Sequence, residues 1–386
     1  MHAMIQRSFL ALAASAAFCA AAPARADLHI GVILSLTGPA ASLGIPAENS
    51  VKLWPAEIGG QKVKVTVLND NSDPTLAAKN ATKLITEDKV DVIVGPSITP
   101  TSLTVVEVVA QNKVPMISLA GGGAIVLPQD GPRKWAFKLS PTEPISVNMV
   151  LDHMLANKAK TLATIGLANS YGEGFLKATQ AAAAARGVTI VATEKYGQAD
   201  SSVTAQMLKI TSANPDAVYI FSAGTPGALP QIELANRGYK GLVYQTQGVA
   251  NADFLRVGGK SLDGAYMTVA PVLVAEQLPD SNASKKAAMT YVKTYEDRYG
   301  AGTRSLFGAT AWSAMTLLNL AVPSAAKLAQ PGTPEFRSAL RDALEGLKET
   351  VTPEAVLNMS ATDHNGVDAR SQVMVKIDAG QWKLVK

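Results

Sequence analysis

The segment Val92-Ile93-Val94-Gly95-Pro96-Ser97-Ile98-Thr99-Pro100-Thr101-Ser102 carries the strongest chemical signal in the chain. An apolar strand ends at Gly95, and a helix is expected to begin with Thr99 as its cap and Pro100 in its first turn. Free backbone N–H groups and the hydroxyls of Ser97 and Thr99 then gather at the carboxyl end of a strand, where an anion is favoured. The next strand ends at Ser118, and Ala120-Gly121-Gly122-Gly123 brings bare backbone to the same edge. Two neighbouring donor-rich loops predict a carboxylate site that needs no arginine, because several charge-assisted hydrogen bonds share the charge.

Other chemistry lacks its residues. His2, His29, His153 and His364 show no metal-ligand spacing and have no carboxylate cluster beside them, so no metal is expected. His153 is read as a helix residue at a surface. There is no Gly-x-Ser-x-Gly elbow and no Walker loop. Tyr171-Gly172-Glu173-Gly174 opens a helix after a strand, but Lys177 stands where a dinucleotide fingerprint needs its third glycine. Asp363-His364-Asn365-Gly366 has no distal glutamate for a calcium loop and is read as a turn before a terminal hairpin. No nucleophile has a plausible base, so the expectation is a protein that is not an enzyme and uses no cofactor.

The elements that position these loops alternate. Strands are predicted over Leu28–Leu34, Val63–Leu68, Val90–Val94 and Val114–Ser118, then over Thr161–Leu167, Val188–Thr193, Ala217–Phe221, Leu242–Gln245 and Ala265–Thr268. Between them lie helical patterns, the clearest over Asp73–Lys89, where Asp73 caps, Pro74 suits the first turn and Leu76, Ala77, Ala81, Leu84 and Ile85 share a face. Others cover Gly174–Arg186, Ser202–Asn214 and Gly227–Arg237. Long helical patterns follow at Ala283–Tyr299, Leu306–Ala321 and Pro334–Leu347, and Gln372–Ile377 with Gln381–Val385 reads as a hairpin. This rhythm means parallel sheets with right-handed crossovers in two α/β lobes. Lys138–Pro144 and Val269–Pro279 break both periods and are the expected crossings between lobes. In open parallel sheets a ligand sits beyond the carboxyl ends of the strands, so two facing lobes make a cleft that closes on a small molecule.

Composition agrees. At 386 residues two domains are expected, and 47% hydrophobic with 17% charged residues excludes a disordered chain. A formal charge of +4 offers no patch for nucleic acid. Arg7, the apolar run Phe9–Ala22 and Ala24-Arg25-Ala26 read as a cleaved secretory signal over residues 1–26, with Pro23 and Arg25 cutting the run short of a membrane span. Removing Arg7 and Arg25 takes the net charge from +4 to +2, and the only cysteine, Cys19, leaves with the signal. No later stretch reads as long and apolar enough to span a membrane, so a periplasmic protein is expected.

Ile30-Gly31-Val32-Ile33-Leu34-Ser35-Leu36-Thr37-Gly38-Pro39, Gly59-Gly60 closing the first helix, Asn69-Asp70-Asn71-Ser72-Asp73-Pro74, Val94-Gly95-Pro96-Ser97, Val114-Pro115-Met116-Ile117-Ser118 and Tyr171-Gly172-Glu173-Gly174 follow one another in order. In that order the chain resembles the Leu/Ile/Val-binding protein family, periplasmic binding proteins of branched-chain amino acid ABC transporters, from Asp27 to the terminal hairpin. The resemblance implies the type I periplasmic binding fold: two Rossmann-like doubly wound lobes joined by a three-crossing hinge. Lobe 1 is expected over 27–141 plus 273–350 and lobe 2 over 142–272 plus 351–386. It further implies a monomer that docks on an inner-membrane ABC permease.

Position by position, the resemblance puts Ser97, Thr99 and the backbone of Ala120, Gly121 and Gly122 around a ligand carboxylate, with Tyr171 closing from the second lobe. Gln247 stands where amino-acid binders carry an acid for the ligand ammonium. Leu43 replaces a tyrosine, and Ser222-Ala223-Gly224-Thr225 replaces a tyrosine-rich stretch, bringing Gly224 and Thr225 to a widened pocket. A buried ammonium with no carboxylate partner costs several kcal/mol. The expected ligand is therefore an aromatic or keto acid lacking an amine, of benzoate or benzoylformate type. The alternatives are a branched-chain amino acid and, in another class, a ligand-sensing receptor domain. Trp54, Trp135 and Trp312 are read as core, and Pro55 as a kink in the first helix.

Overall fold

The computed structural model describes residues 26–385. The signal segment read over 1–26 lies, apart from Ala26, outside the described residues. Strands β1 (Leu28–Leu34), β2 (Glu57–Ile58), β3 (Gln61–Asn69), β4 (Val92–Val94), β5 (Met116–Ser118) and β6 (Ala136–Lys138) form one sheet in the order β2-β3-β1-β4-β5-β6. All of its pairings are parallel except β2 with β3. Strands β7 (Thr161–Leu167), β8 (Thr189–Tyr196), β9 (Ala217–Phe221), β10 (Leu242–Gln245) and β11 (Tyr266–Val269) form a parallel second sheet, in the order β11-β10-β9-β7-β8. A two-stranded ladder, β12 (Thr350–Val351) with β13 (Val356–Leu357), precedes the terminal hairpin. That hairpin, β14 (Val373–Asp378) and β15 (Gln381–Leu384), adds antiparallel to β11.

Each parallel core is doubly wound, the first around β1 and β4 and the second around β7 and β9. The strand order therefore reverses at those pairs, and the crevice for a ligand opens at their carboxyl ends. β1 is buried along its whole length, as a strand covered on both faces must be. The expected bounds of β1, β7, β9 and β10 hold to the residue, and Asp73 caps its helix by accepting from Leu76 N–H (2.6 Å).

Several expectations fail locally. The first helix, Ala41–Val51, ends before Pro55 and contains Pro46 instead. Gly59-Gly60 does not close it: with φ of 58° and 73° the pair forms the tight turn between β2 and β3, a conformation that suits glycine. Lys138–Pro144, read as irregular, includes the end of β6. The helix Leu306–Ala326 is longer than predicted and, contrary to expectation, is apolar enough for a membrane span. Its buried face packs on the first helix, so it serves as core.

The chain passes between the sheets three times: after β6, after β11 and before β14. These crossings bury ionisable side chains, among them Lys138 and Glu354. Lys138 Nζ donates to Ser140 O and Pro141 O, and Asn365 Nδ2 ties Lys138 O (3.0 Å) to Ser140 O (2.8 Å). Glu354 Oε1 accepts from Thr310 Oγ1 (2.7 Å), while its Oε2 has no partner among the described residues. Burial pushes Lys138 down to about 8 and Glu354 up to about 7. A carboxyl raised above its ordinary 4.5 keeps its proton in the folded chain when the unfolded chain has lost it. Its stabilisation is full below 4.5 and drains away as pH rises to 7. Glu354→Gln is expected to remove that part of the pH dependence and to stabilise the chain by ~3 kcal/mol at pH 8. Urea midpoints of both proteins from pH 4.5 to 8 check this; parallel curves would refute it.

Candidate functional site

The carboxyl ends of β1 and β4 face those of β7 and β9 across a cleft with about 440 Å³ of empty space, part of it open to solvent. Leu43, Ser97, Thr99, Gly121, Tyr171 and Gln247 meet in its wall. Ala120, Gly122, Gly224 and Thr225 do not line it.

On the first lobe, Gly95 passes so close to β1 that an added Cβ would lie 2.0 Å from Ile33 O, and its φ is 102°. Only glycine fits this approach. Beyond it Ser97 Oγ accepts from Ser35 N–H (3.2 Å), which leaves the Ser97 proton free to donate. Thr99 is not the helix cap: the helix Thr99–Asn112 has Ile98 in the cap position, with extended backbone and no side-chain cap. Thr99 Oγ1 instead accepts from Gly122 N–H (3.1 Å), and Ala120 N–H goes to Ser118 Oγ (3.1 Å). Two of the three expected backbone donors are thus used inside the protein. Gly121 N–H, Thr99 N–H and the hydroxyls of Ser97 and Thr99 remain for a ligand. Gly122 contributes by yielding space, since a Cβ there would meet Thr99 Cγ2 at 2.4 Å.

On the second lobe, Asn169 caps the helix Ser170–Arg186, accepting from Tyr171 N–H (3.0 Å) and Gly172 N–H (3.3 Å). The cap starts the helix four residues earlier than predicted and turns Tyr171 toward the other lobe. A Cβ on Gly121 would lie 3.1 Å from Tyr171 Cε2, so the ring closes over the glycine loop, backed by Phe175 at 5.0 Å. The Tyr171 hydroxyl is buried without a hydrogen-bond partner among the described residues, and burial raises its pKa far above the ordinary value. The tyrosine is neutral at physiological pH. Gln247, 3% exposed, enters from the loop after β10. From the Ser222–Thr225 loop only Ala223 reaches the wall; Gly224 packs toward Ser42, and Thr225 lines a separate surface cleft.

Sequence reasoning missed Asn169, Ser140, Gln198 and the apolar Leu306 and Phe307, which also line the cleft. Asn169 before Ser-Tyr-Gly was a readable cap signal; the others arrive by long-range packing. No lining side chain is charged. Glu143, buried nearby, is not in the wall and accepts from Gly123 N–H (2.9 Å). Among the described residues no three of His, Cys, Asp and Glu gather to hold a metal. His153 bonds Tyr244 (2.8 Å) from its helix. Asp363 Oδ1 accepts from Asn365 and Gly366 N–H (both 2.9 Å), which makes the expected turn, and the His364 ring stacks on Phe137 at 4.0 Å. None of Trp54, Trp135 and Trp312 lines the cleft: Trp135 lies under Arg341 at 4.6 Å and Trp312 packs on Tyr291 at 5.9 Å.

Two doubly wound lobes closing on an uncharged, donor-lined cleft define a binding protein for small solutes. The chain matches the periplasmic binding protein model over residues 27–381 and belongs to that family. The Leu/Ile/Val-binding protein BraC3 of Rhizobium johnstonii is 26% identical over 377 residues, covering 96% of each chain. An extracellular ligand-binding receptor from Rhodopseudomonas palustris HaA2 superposes with a TM-score of 0.90 at 41% identity, covering 94% of this chain and 100% of that one. The benzoate complex of a solute-binding protein of an R. palustris ABC transporter has the same fold, with a TM-score of 0.77 at 21% identity over 93% of this chain and 96% of that one. The family is one of periplasmic binding proteins and is not a class of enzymes.

Proposed function

We propose that the chain captures a small organic acid lacking an amine, an aromatic or 2-oxo acid of benzoate or benzoylformate type, for delivery to an inner-membrane ABC permease. The carboxylate sits against Gly121 N–H, Thr99 and Ser97 on the first lobe, and Tyr171 and Gln247 cover it from the second. One observation carries this reading: the wall contains no carboxylate, so an ammonium would be buried without a partner at a cost of several kcal/mol. The benzoate complex of a protein of the same fold supports it. Branched-chain amino acids are a second reading, favoured by the name of the BraC3 relative.

Thermal shifts of the mature chain, refolded to strip bound ligand, test the two readings with benzoate, benzoylformate, phenylpyruvate and short 2-oxo acids against leucine, isoleucine and valine. Ligand at a hundred times its Kd adds about 2.7 kcal/mol to the folded state. Shifts confined to the amine-free acids are expected; shifts confined to the amino acids would overturn the proposal.

A further inference from the structure

The amide of Gln247 can face the cleft with either end, and its neighbours decide which. Gln372 Nε2 lies 3.0 Å from Ser371 O, a carbonyl that only accepts, so that end of Gln372 is its NH2 group. The same nitrogen lies 3.1 Å from Gln247 and can meet only an acceptor there, which identifies the Gln247 atom as Oε1. Ser146 Oγ completes the chain by donating to Gln372 Oε1 (3.0 Å). With its oxygen used, Gln247 has its NH2 left for the cleft, and among the described residues no protein atom accepts from it. Asn169 is held in the same sense, because its Oδ1 takes two backbone N–H groups and leaves its own NH2 free.

The geometry points to Gln372 as a specificity-determining residue: by holding the Gln247 oxygen it makes the second lobe a donor surface, so the ligand must present an acceptor oxygen beside its carboxylate, as a 2-oxo acid does. An ammonium, which only donates, meets donors at both Gln247 and Asn169. The inference rests on the proposed site and deepens it. Gln372 acts through Gln247 and lies immediately before the terminal hairpin, outside the cleft wall.

Isothermal titration with matched acids separates the possibilities, since 4-methyl-2-oxopentanoate and leucine, or benzoylformate and phenylglycine, differ only at the carbon beside the carboxylate. The native chain is expected to prefer the oxo member of each pair by more than about tenfold. Gln372→Glu replaces the donor with an acceptor; Gln247 then turns its NH2 outward and its oxygen to the ligand, and the preference falls at least about tenfold or reverses. Gln372→Met, uncharged and of similar length, frees the amide and moves the ratio toward one, which keeps the test alive if the glutamate variant does not fold. In a Gln247→Ala background Gln372→Glu is expected to lose its effect on the ratio, which separates a relay through the amide from the new charge acting alone. Oxo-to-amino ratios unchanged in both Gln372 variants, with Gln247→Ala still weakening binding, would overturn the relay while leaving the site intact. Binding unchanged in Gln247→Ala would overturn the site and the relay together.

Discussion

Glutamate in place of Gln247 is expected to turn the preference from oxo acids to amino acids, by about 10²–10⁴ in the ratio of their dissociation constants. One carboxylate oxygen of the variant keeps the bond from Gln372 Nε2, which occupies the Gln247 oxygen in the native chain at 3.1 Å. The other faces the cleft, where a ligand ammonium gains a charge-assisted partner and a ligand carbonyl meets a repelling oxygen. Each change is worth ~1.5–3 kcal/mol because the wall is otherwise uncharged. Burial raises the pKa of the new carboxyl in the empty site, so its gain for amino acids must fade as pH drops through that value. Titrations with the matched acids at neutral pH and near pH 5 measure both effects. A ratio that stays at its native value would show that no ligand group beside the carboxylate reaches position 247.

How much of this site was legible follows from the range of the interactions that build it. β1, β7, β9 and β10 were readable because strands buried along all or much of their length are short apolar runs bounded by turns. Thr99, Tyr171 and Gln247 were readable because each follows a strand of a parallel sheet, and such loops must share an edge. The Thr99 cap failed because a threonine before proline has two uses, capping its own helix or accepting from another loop, and Gly122 N–H, 23 residues on, won. Gln372 gave no signal: it is 125 residues from Gln247, in the turn that leads into a hairpin with the look of plain sheet edge. The Ser222–Thr225 loop was assigned to the pocket by resemblance, yet the positive φ of Gly224 (72°) turns the chain outward after Ala223. Periods and caps are local and can be read; a polar relay between distant loops requires the fold to exist first.

Thr99→Val is expected to weaken every carboxylate ligand by roughly 10–150-fold, whatever the rest of the ligand is. The substitution keeps the shape and removes one hydroxyl that acts twice, taking Gly122 N–H as acceptor at 3.1 Å and giving its own proton to the ligand. The second loss falls on affinity, because a hydrogen bond to a charged group in a site without an arginine is a large share of what holds the anion. The first leaves a buried N–H unpaired and falls on stability, at ~1–3 kcal/mol in the ligand-free chain. The two effects separate in one pair of measurements, the Tm without ligand and the Kd with benzoate or benzoylformate, whichever the native chain binds. Thr99→Ser restores the hydroxyl without the methyl and should recover most of both. If valine lowered Tm but left Kd unchanged, Thr99 would be only a brace for the glycine loop, and the carboxylate would have to lie against Gly121 and Ser97 alone. That outcome is the harder one to reconcile with the fold, because the first turn of the helix starting at Thr99 provides free N–H groups where β4 ends, at the point where the strand order reverses.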